Sequence, residues 1–297
     1  MLIKIICCNK RSVFIDYNKI SYNYKLYPGA AKMQKRIPLV LIILAVVALT
    51  AYLLYPSMFK QSMPVAQKEL LIFCGITMIK PISEIAAIIE QQEQVKVSII
   101  KGGSGNLLKS IRFNQTGDLY LPGSESYIKQ ANAEGLIMES VHVGYNKAAM
   151  MVQKGNPRAI KAELSALTNE DYYVVIGNPD SGSIGKETKK ILTAANLFDQ
   201  VMVNSQEMTT DSKRLIDVLK KGEADLVINW YATSSWAENK PYVDALSIDG
   251  QFAEKKRLVM GLLSSSKHPD IASKFMAYAG SEKGRKIFDR YGLYNIH

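Results

Sequence analysis

Cysteine is scarce: three in 297 residues, at Cys7, Cys8 and Cys74. Only Cys74 lies beyond the long apolar run at 37–55. No disulfide can form within residues 56–297, so the stability of that part must come from a hydrophobic core. Histidine is equally thin. His142, His268 and His297 are far apart and, with one cysteine, give no metal-ligand pattern. Catalytic signatures are missing as well. The nearest approach to G-x-S-x-G, Gly102-Gly103-Ser104-Gly105-Asn106, ends in asparagine. Gly185-Lys186 runs into Glu187, which breaks a P-loop, and Gly103-x-Gly105 lacks the third glycine of a dinucleotide fingerprint. These absences argue against an enzyme, a free metal cation and a bound cofactor.

What is present is ordinary for a folded chain. The sequence is 47% hydrophobic and 22% charged, which excludes disorder and a multi-span membrane protein. Lys and Arg number 37 against 27 Asp and Glu, a net +10, but the excess is uneven. Residues 1–36 hold eight basic residues against Asp16 alone, so +3 remains for residues 37–297. A basic footprint confined to one end does not suit a nucleic-acid binder, and no nucleic acid is expected as a partner.

Residues 37–55, IPLVLIILAVVALTAYLLY, carry no charge over 19 positions. That suits a membrane span, and Lys32, Lys35 and Arg36 before it set the orientation with the amino terminus inside. The expected organisation is therefore a segment 1–36, cytoplasmic or outside a reading frame that starts at Met33. A signal anchor or signal peptide (37–55) and a linker (56–68) come next. The remainder is exported to the periplasm or the outer face of the cytoplasmic membrane. No convincing A-x-A site and no cysteine come directly after the apolar run, which favours an uncleaved anchor.

Beyond the linker, strand and helix patterns alternate. Apolar or alternating runs at 70–75, 95–100, 118–123, 174–179, 202–206, 224–232 and 257–266 predict strands, and residues 142–155 read as one long extended segment. Helices are predicted at 82–92, 102–113, 124–136, 183–195, 211–222, 268–280 and 281–292. This order predicts an α/β fold with mainly parallel sheets flanked by helices.

Chemistry concentrates in hydroxyl-rich turns where strands hand over to helices. Gly75-Ile76-Thr77, Gly102-Gly103-Ser104-Gly105, Gly123-Ser124-Glu125 and Asn178-Pro179-Asp180-Ser181-Gly182-Ser183 all sit there. Taken singly, a Ser or Thr at a helix start is an N-cap worth about 1 kcal/mol. Four such turns with flanking glycines point further. Helix starts carry unpaired N–H groups and a partial positive charge, so several together can hold an anion without Lys or Arg.

These turns, with Lys154-Gly155-Asn156-Pro157, Asn178-Pro179, Tyr231-Ala232-Thr233 and the tail Ser266-Lys267-His268-Pro269, resemble type II periplasmic solute-binding proteins of ABC importers. The molybdate/tungstate-binding family is the nearest match. The resemblance covers residues 69–297 and implies a two-lobe fold, with 69–152 plus 256–297 as lobe 1 and 153–255 as lobe 2. It implies a monomer that closes on a tetrahedral oxyanion, molybdate or tungstate, and delivers it to a membrane permease. Thr77, Ser104 and Ser124 from lobe 1 and Ser181, Ser183 and Tyr231 from lobe 2 are the expected ligand-binding residues. Phosphate or sulfate binding on the same fold, and an oxyanion-sensing domain, are the alternatives. Glu125 or Asp180 would take the proton of hydrogen phosphate.

Overall fold

The computed structural model describes residues 41–50 and 68–294. Two compact units divide the chain at Val65/Ala66. In the first, residues 41–50 form helix α1, with every side chain exposed. They are the described part of the apolar segment 37–55; segment 1–36 and most of the linker 56–68 lie outside the described residues. Among the described residues no helix is long and apolar enough to cross a membrane.

The second unit holds two five-stranded sheets. β1 (Glu69–Gly75) leads through a 3-10 turn (Ile76–Met78) into α2 (Ile79–Glu93). β2 (Lys96–Gly102), α3 (Ser104–Asn114), β3 (Leu119–Leu121), α4 (Glu125–Ala133) and β4 (Ile137–Asn146) follow. After Lys147 the chain enters a second sheet with β5 (Ala148–Gln153), β6 (Val174–Gly177), α5 (Ser183–Ala194) and α6 (Phe198–Asn204). β7 (Ser205–Thr209), α7 (Ser212–Lys220), β8 (Leu226–Trp230), α8 (Ala232–Ser235) and β9 (Val243–Ser247) complete that part. The chain returns to the first sheet through β10 (Lys256–Leu263) and ends with α9 (Pro269–Gly280) and α10 (Glu282–Arg290). The strand orders are β2-β1-β3-β10-β4 and β7-β6-β8-β5-β9.

The α/β reading holds, but the sheets are not mainly parallel. β1 pairs parallel with β2 and β3, and β6 with β7 and β8; β10 runs against β3 and β4, and β5 against β8 and β9. The crossings explain this. β5 and β10 each enter their sheet from the side where the two sheets meet. Their neighbours point carboxyl ends there, so the entering strand must run the other way.

Three local expectations also change. The segment 142–155 is two strands in different sheets, broken at Lys147, so the division expected at 152/153 falls inside β5. Residues 202–204 finish α6 rather than begin a strand. Val201 is buried in the second core, and Asn204 Nδ2 donates to Leu167 O and Asn169 O at 2.8 and 3.0 Å. Tertiary anchoring overrides the β-propensity of Val201 and Val203 there. The edge strand β9 and the first half of β4 had no strand signal, because both mix apolar and polar residues without a clean alternation and are partly exposed.

The core follows the sheets. The first sheet buries Leu70, Ile72 and Leu121 against α2 and α9 on one face, and Phe73 and Tyr120 against α3 and α4 on the other. The second buries Val174, Val227, Ile228 and Trp230. Asp118 fastens the tail to the first sheet. Its carboxylate accepts from Leu71 N at 2.7 Å, Ser266 Oγ at 2.6 Å and Lys267 N at 3.0 Å. The Asp-led strand and the Ser-Lys-His-Pro tail therefore hold each other and serve the fold.

Candidate anion-binding cleft

Five chain turns and the end of one strand converge where the two sheets face one another. Gly75, Ile76 and Thr77 arrive from β1, Gly102, Gly103 and Ser104 from β2, and Gly123 from the turn after β3. The second sheet supplies Gly182, Ser183 and Ile184 at the start of α5, Asp211 and Ser212 at the start of α7, and Trp230 at the end of β8. All lie at carboxyl ends of strands, where open α/β sheets place ligands. The cavity they enclose measures about 10 Å³, room for about one water-sized sphere.

The hydroxyls are not capping their helices. The N-caps of α3 and α5 are Gly103 and Gly182, with no side-chain cap bond, and the N-cap of α7 is Asp211. Ser104, Ser183 and Ser212 each occupy the first helical position. Ser104 Oγ accepts from Gly123 N and Ser183 Oγ from Trp230 Nε1, which leaves their protons for the cavity where the starts of α3, α5 and α7 meet. No Lys or Arg lines the cavity; Asp211 is its one charged residue. Asp211 Oδ1 is engaged by its own helix, accepting from Lys213 N at 2.8 Å and Arg214 N at 3.2 Å.

Glycines let the walls approach. A β-carbon on Gly103 would stand 2.6 Å from Ser181 O and 2.7 Å from Thr210 O. One on Gly123 would fall on Ser183 Oγ. Across the same seam Asn106 N donates to Ser181 O at 3.2 Å.

Of the six expected ligand residues, Thr77, Ser104 and Ser183 line this one cavity. Ser124 lines a larger opening of about 590 Å³ that meets the first at Ser183. It caps α4, its Oγ accepting from Ser126 N at 3.4 Å. Ser181 stands behind the wall, its hydroxyl 3.2 Å from Asn178 O and 3.1 Å from Thr210 O. Tyr231 is 40% exposed and does not line the cavity. Sequence reasoning misses Asp211, Ser212 and Trp230. Thr209-Thr210-Asp211-Ser212 has the same hydroxyl-turn-helix pattern as the others, and it escapes notice once the preceding strand is placed at 202–206.

The larger opening is charged. Lys129, Lys186, Lys190, Lys256 and Arg257 line it with Glu125, Glu187 and Glu254. Glu187 on α5 reaches Lys256 on β10 at 3.1 Å, a pair largely sealed from solvent. Burial, only partly offset by Lys256, holds the Glu187 carboxyl above its usual range. Lys186 lies 5.0 Å above the Tyr127 ring, and Lys80 meets Glu238 at 2.6 Å while lying over the Trp236 ring. Each of these joins an element of one sheet to an element of the other.

Residues 70–294 match the family model described as bacterial extracellular solute-binding protein. The chain belongs to that family. A candidate binding protein of Haemophilus influenzae is 25% identical to this solute-binding protein over 241 residues, covering 80% of this chain and 95% of the relative. Solved structures share the fold. The molybdate-binding protein of Azotobacter vinelandii gives a TM-score of 0.64 at 16% identity, over 77% of this chain and 100% of that one. A periplasmic thiamin-binding protein gives 0.65 at 15%, over 77% and 84%. The two neighbours are named for chemically unrelated ligands, so the likeness identifies the architecture of this solute-binding protein and leaves the ligand to the residues of the cleft.

Proposed function

We propose that this solute-binding protein captures a tetrahedral oxyanion, molybdate or tungstate, on the outer side of the cytoplasmic membrane and passes it to an ABC permease. The observation that carries this reading is the meeting of three helix starts and three available serine hydroxyls on one small cavity without a cation. Such an array can replace the hydration shell of a dianion with neutral donors, each worth about 1.5–3 kcal/mol when the acceptor is charged. A cavity with room for about one water-sized sphere has to widen for any ligand, and widens least for a compact inorganic one. Thr77, Ser104 and Ser183 are the proposed contacts, with Ser212 added. Separation of the two halves about the crossings at Lys147 and 248–255 admits the ion.

Sulfate fits the same logic. Phosphate stays a competitor. Its proton needs an acceptor, and although neither Glu125 nor Asp180 lines the cavity, the Asp211 carboxylate does. Thermal unfolding with molybdate, tungstate, sulfate and phosphate tests the reading. An ion at about a thousand times its Kd stabilises by about 4 kcal/mol. For a domain of this size that is roughly 8–16 °C. A shift with molybdate or tungstate alone is expected. A shift with sulfate or phosphate alone moves the substrate and keeps the mechanism, and no shift with any of them overturns the oxyanion reading.

A further inference from the structure

Positive charge is gathered on one flank of the cleft. Beside the larger opening, which Lys255 also lines, lies a recess of about 330 Å³ bounded by Lys109, Arg112, Asp180, Lys186 and Lys189. The two share Lys186. Together they hold nine Lys and Arg against four Asp and Glu, a local +5. Residues 68–294 hold 28 against 26, only +2, so everything outside this flank sums to −3. The walls of the recess come from both halves, α3 and α4 on one side, α5 and the turn before it on the other.

The fold does not use up these cations. Lys109, Lys186, Lys189 and Lys255 are exposed, and among the described residues none has a carboxylate at ion-pair distance. The other cations of the flank pair with Glu125, Glu134, Glu187 or Glu254. Rings hold two of the free lysines without neutralising them. Lys186 Nζ stands 5.0 Å from the Tyr127 ring and Lys189 Nζ 5.3 Å from that of Phe198. Lys186, Lys189 and Lys190 fall three and four residues apart on α5 and make one exposed stripe. The recess has a buried floor, Gly105 and Leu108.

We propose that this flank docks an acidic segment of the membrane permease, with several Asp or Glu carboxylates laid along the recess and the adjoining opening. The proposal rests on the transport reading above, which supplies a protein partner. A lone small anion gains little from exposed lysines and is screened by salt. A segment that brings several carboxylates at once adds those gains within one binding event. A lipid surface is flat and would reach only the rim of a recess with a buried floor. The −3 elsewhere turns other faces away from the same acidic segment, so charge sets the orientation of docking. Because both halves wall the recess, closing the cleft completes the surface.

Fluorescence anisotropy of a labelled octaglutamate peptide, with the full chain in nonionic detergent, tests this. Lys109→Gln/Lys189→Gln/Lys255→Gln is compared with Lys161→Gln/Lys240→Gln/Lys283→Gln, which removes the same charge from exposed positions outside both recesses. The flank variant should bind the peptide at least about fivefold more weakly, and the control should lose less than about twofold. Oxyanion affinity should stay unchanged in both, which also reports that both fold. Saturating molybdate should tighten peptide binding to wild type several-fold. No binding by wild type, or an equal loss in the two variants, would overturn the proposal. Displacement of the peptide by inorganic triphosphate at equal charge would make the flank a small-anion site, and displacement by micelles doped with phosphatidylglycerol would make it a lipid contact; either overturns it. A peptide affinity indifferent to bound molybdate would overturn the link to closure. If wild type binds no oxyanion, the functional reading falls, while the peptide comparison still decides the flank.

Discussion

Serine plays two roles in this molecule, and position within the first turn separates them. Ser281 is a true cap: its Oγ accepts from Gly284 N at 3.2 Å at the start of α10. Ser104 stands one place further in, after a glycine cap, and presents its hydroxyl to the cleft. Ser281→Ala should lower stability by about 1 kcal/mol in a denaturant melt and leave anion affinity unchanged. Ser104→Ala should weaken the bound oxyanion at least about tenfold by calorimetry. Unchanged affinity would remove Ser104 from the site. The sequence shows a hydroxyl after a glycine at Gly103-Ser104 and Gly182-Ser183 alike. It cannot show which residue begins the helix, because that depends on where the preceding strand stops. Ser124 and Ser181 look similar in sequence, yet one caps α4 and the other ties the Asn178 and Thr210 turns together.

The elements were legible where their side chains are buried on a regular period. β1, β6 and β8 are almost wholly apolar and α2 carries Ile82, Ile85 and Ile89 on one face, so their existence follows from pattern alone. Pattern fails at edges and crossings. β9 is a short edge strand with partly exposed residues, and β4 runs straight into β5 through Lys147 without a turn residue. The cleft depends on how the α5 start meets the turn after β3. Gly123 faces Ser183 there, and an added methyl has space only if the Ser183 hydroxyl turns away or the two halves stand apart. Gly123→Ala should abolish measurable anion binding while shifting the ligand-free melting temperature by no more than a few degrees. A variant that still binds tightly would show that Ser183 and Gly123 part in the bound state.

For the molecule as a whole, contacts between the halves set how much of the protein is ready to hold its ligand. Lys186 over Tyr127, Glu187 with Lys256 and Lys80 with Glu238 lie outside the cavity yet join the same two halves. Weakening one should lower the population of the closed form and scale every affinity by the same factor. Lys186→Ala removes an exposed cation–π contact, so roughly a two- to fivefold uniform loss is expected across the anion series. A change in the order of preference would place Lys186 among the ligand contacts instead. Such uniform scaling separates closure from recognition.

The strand order of the first sheet has a further consequence, in the order of assembly. β10 lies between β3 and β4, although more than a hundred residues separate it from either along the chain. The second sheet, built from one continuous stretch, can form as soon as that stretch is available. The first must wait with β3 and β4 unjoined, each showing an open edge to any other strand it meets. Truncation before Lys256 would therefore leave the first sheet in two pieces, and a chaperone that shields open strand edges would act longest on residues 119–146.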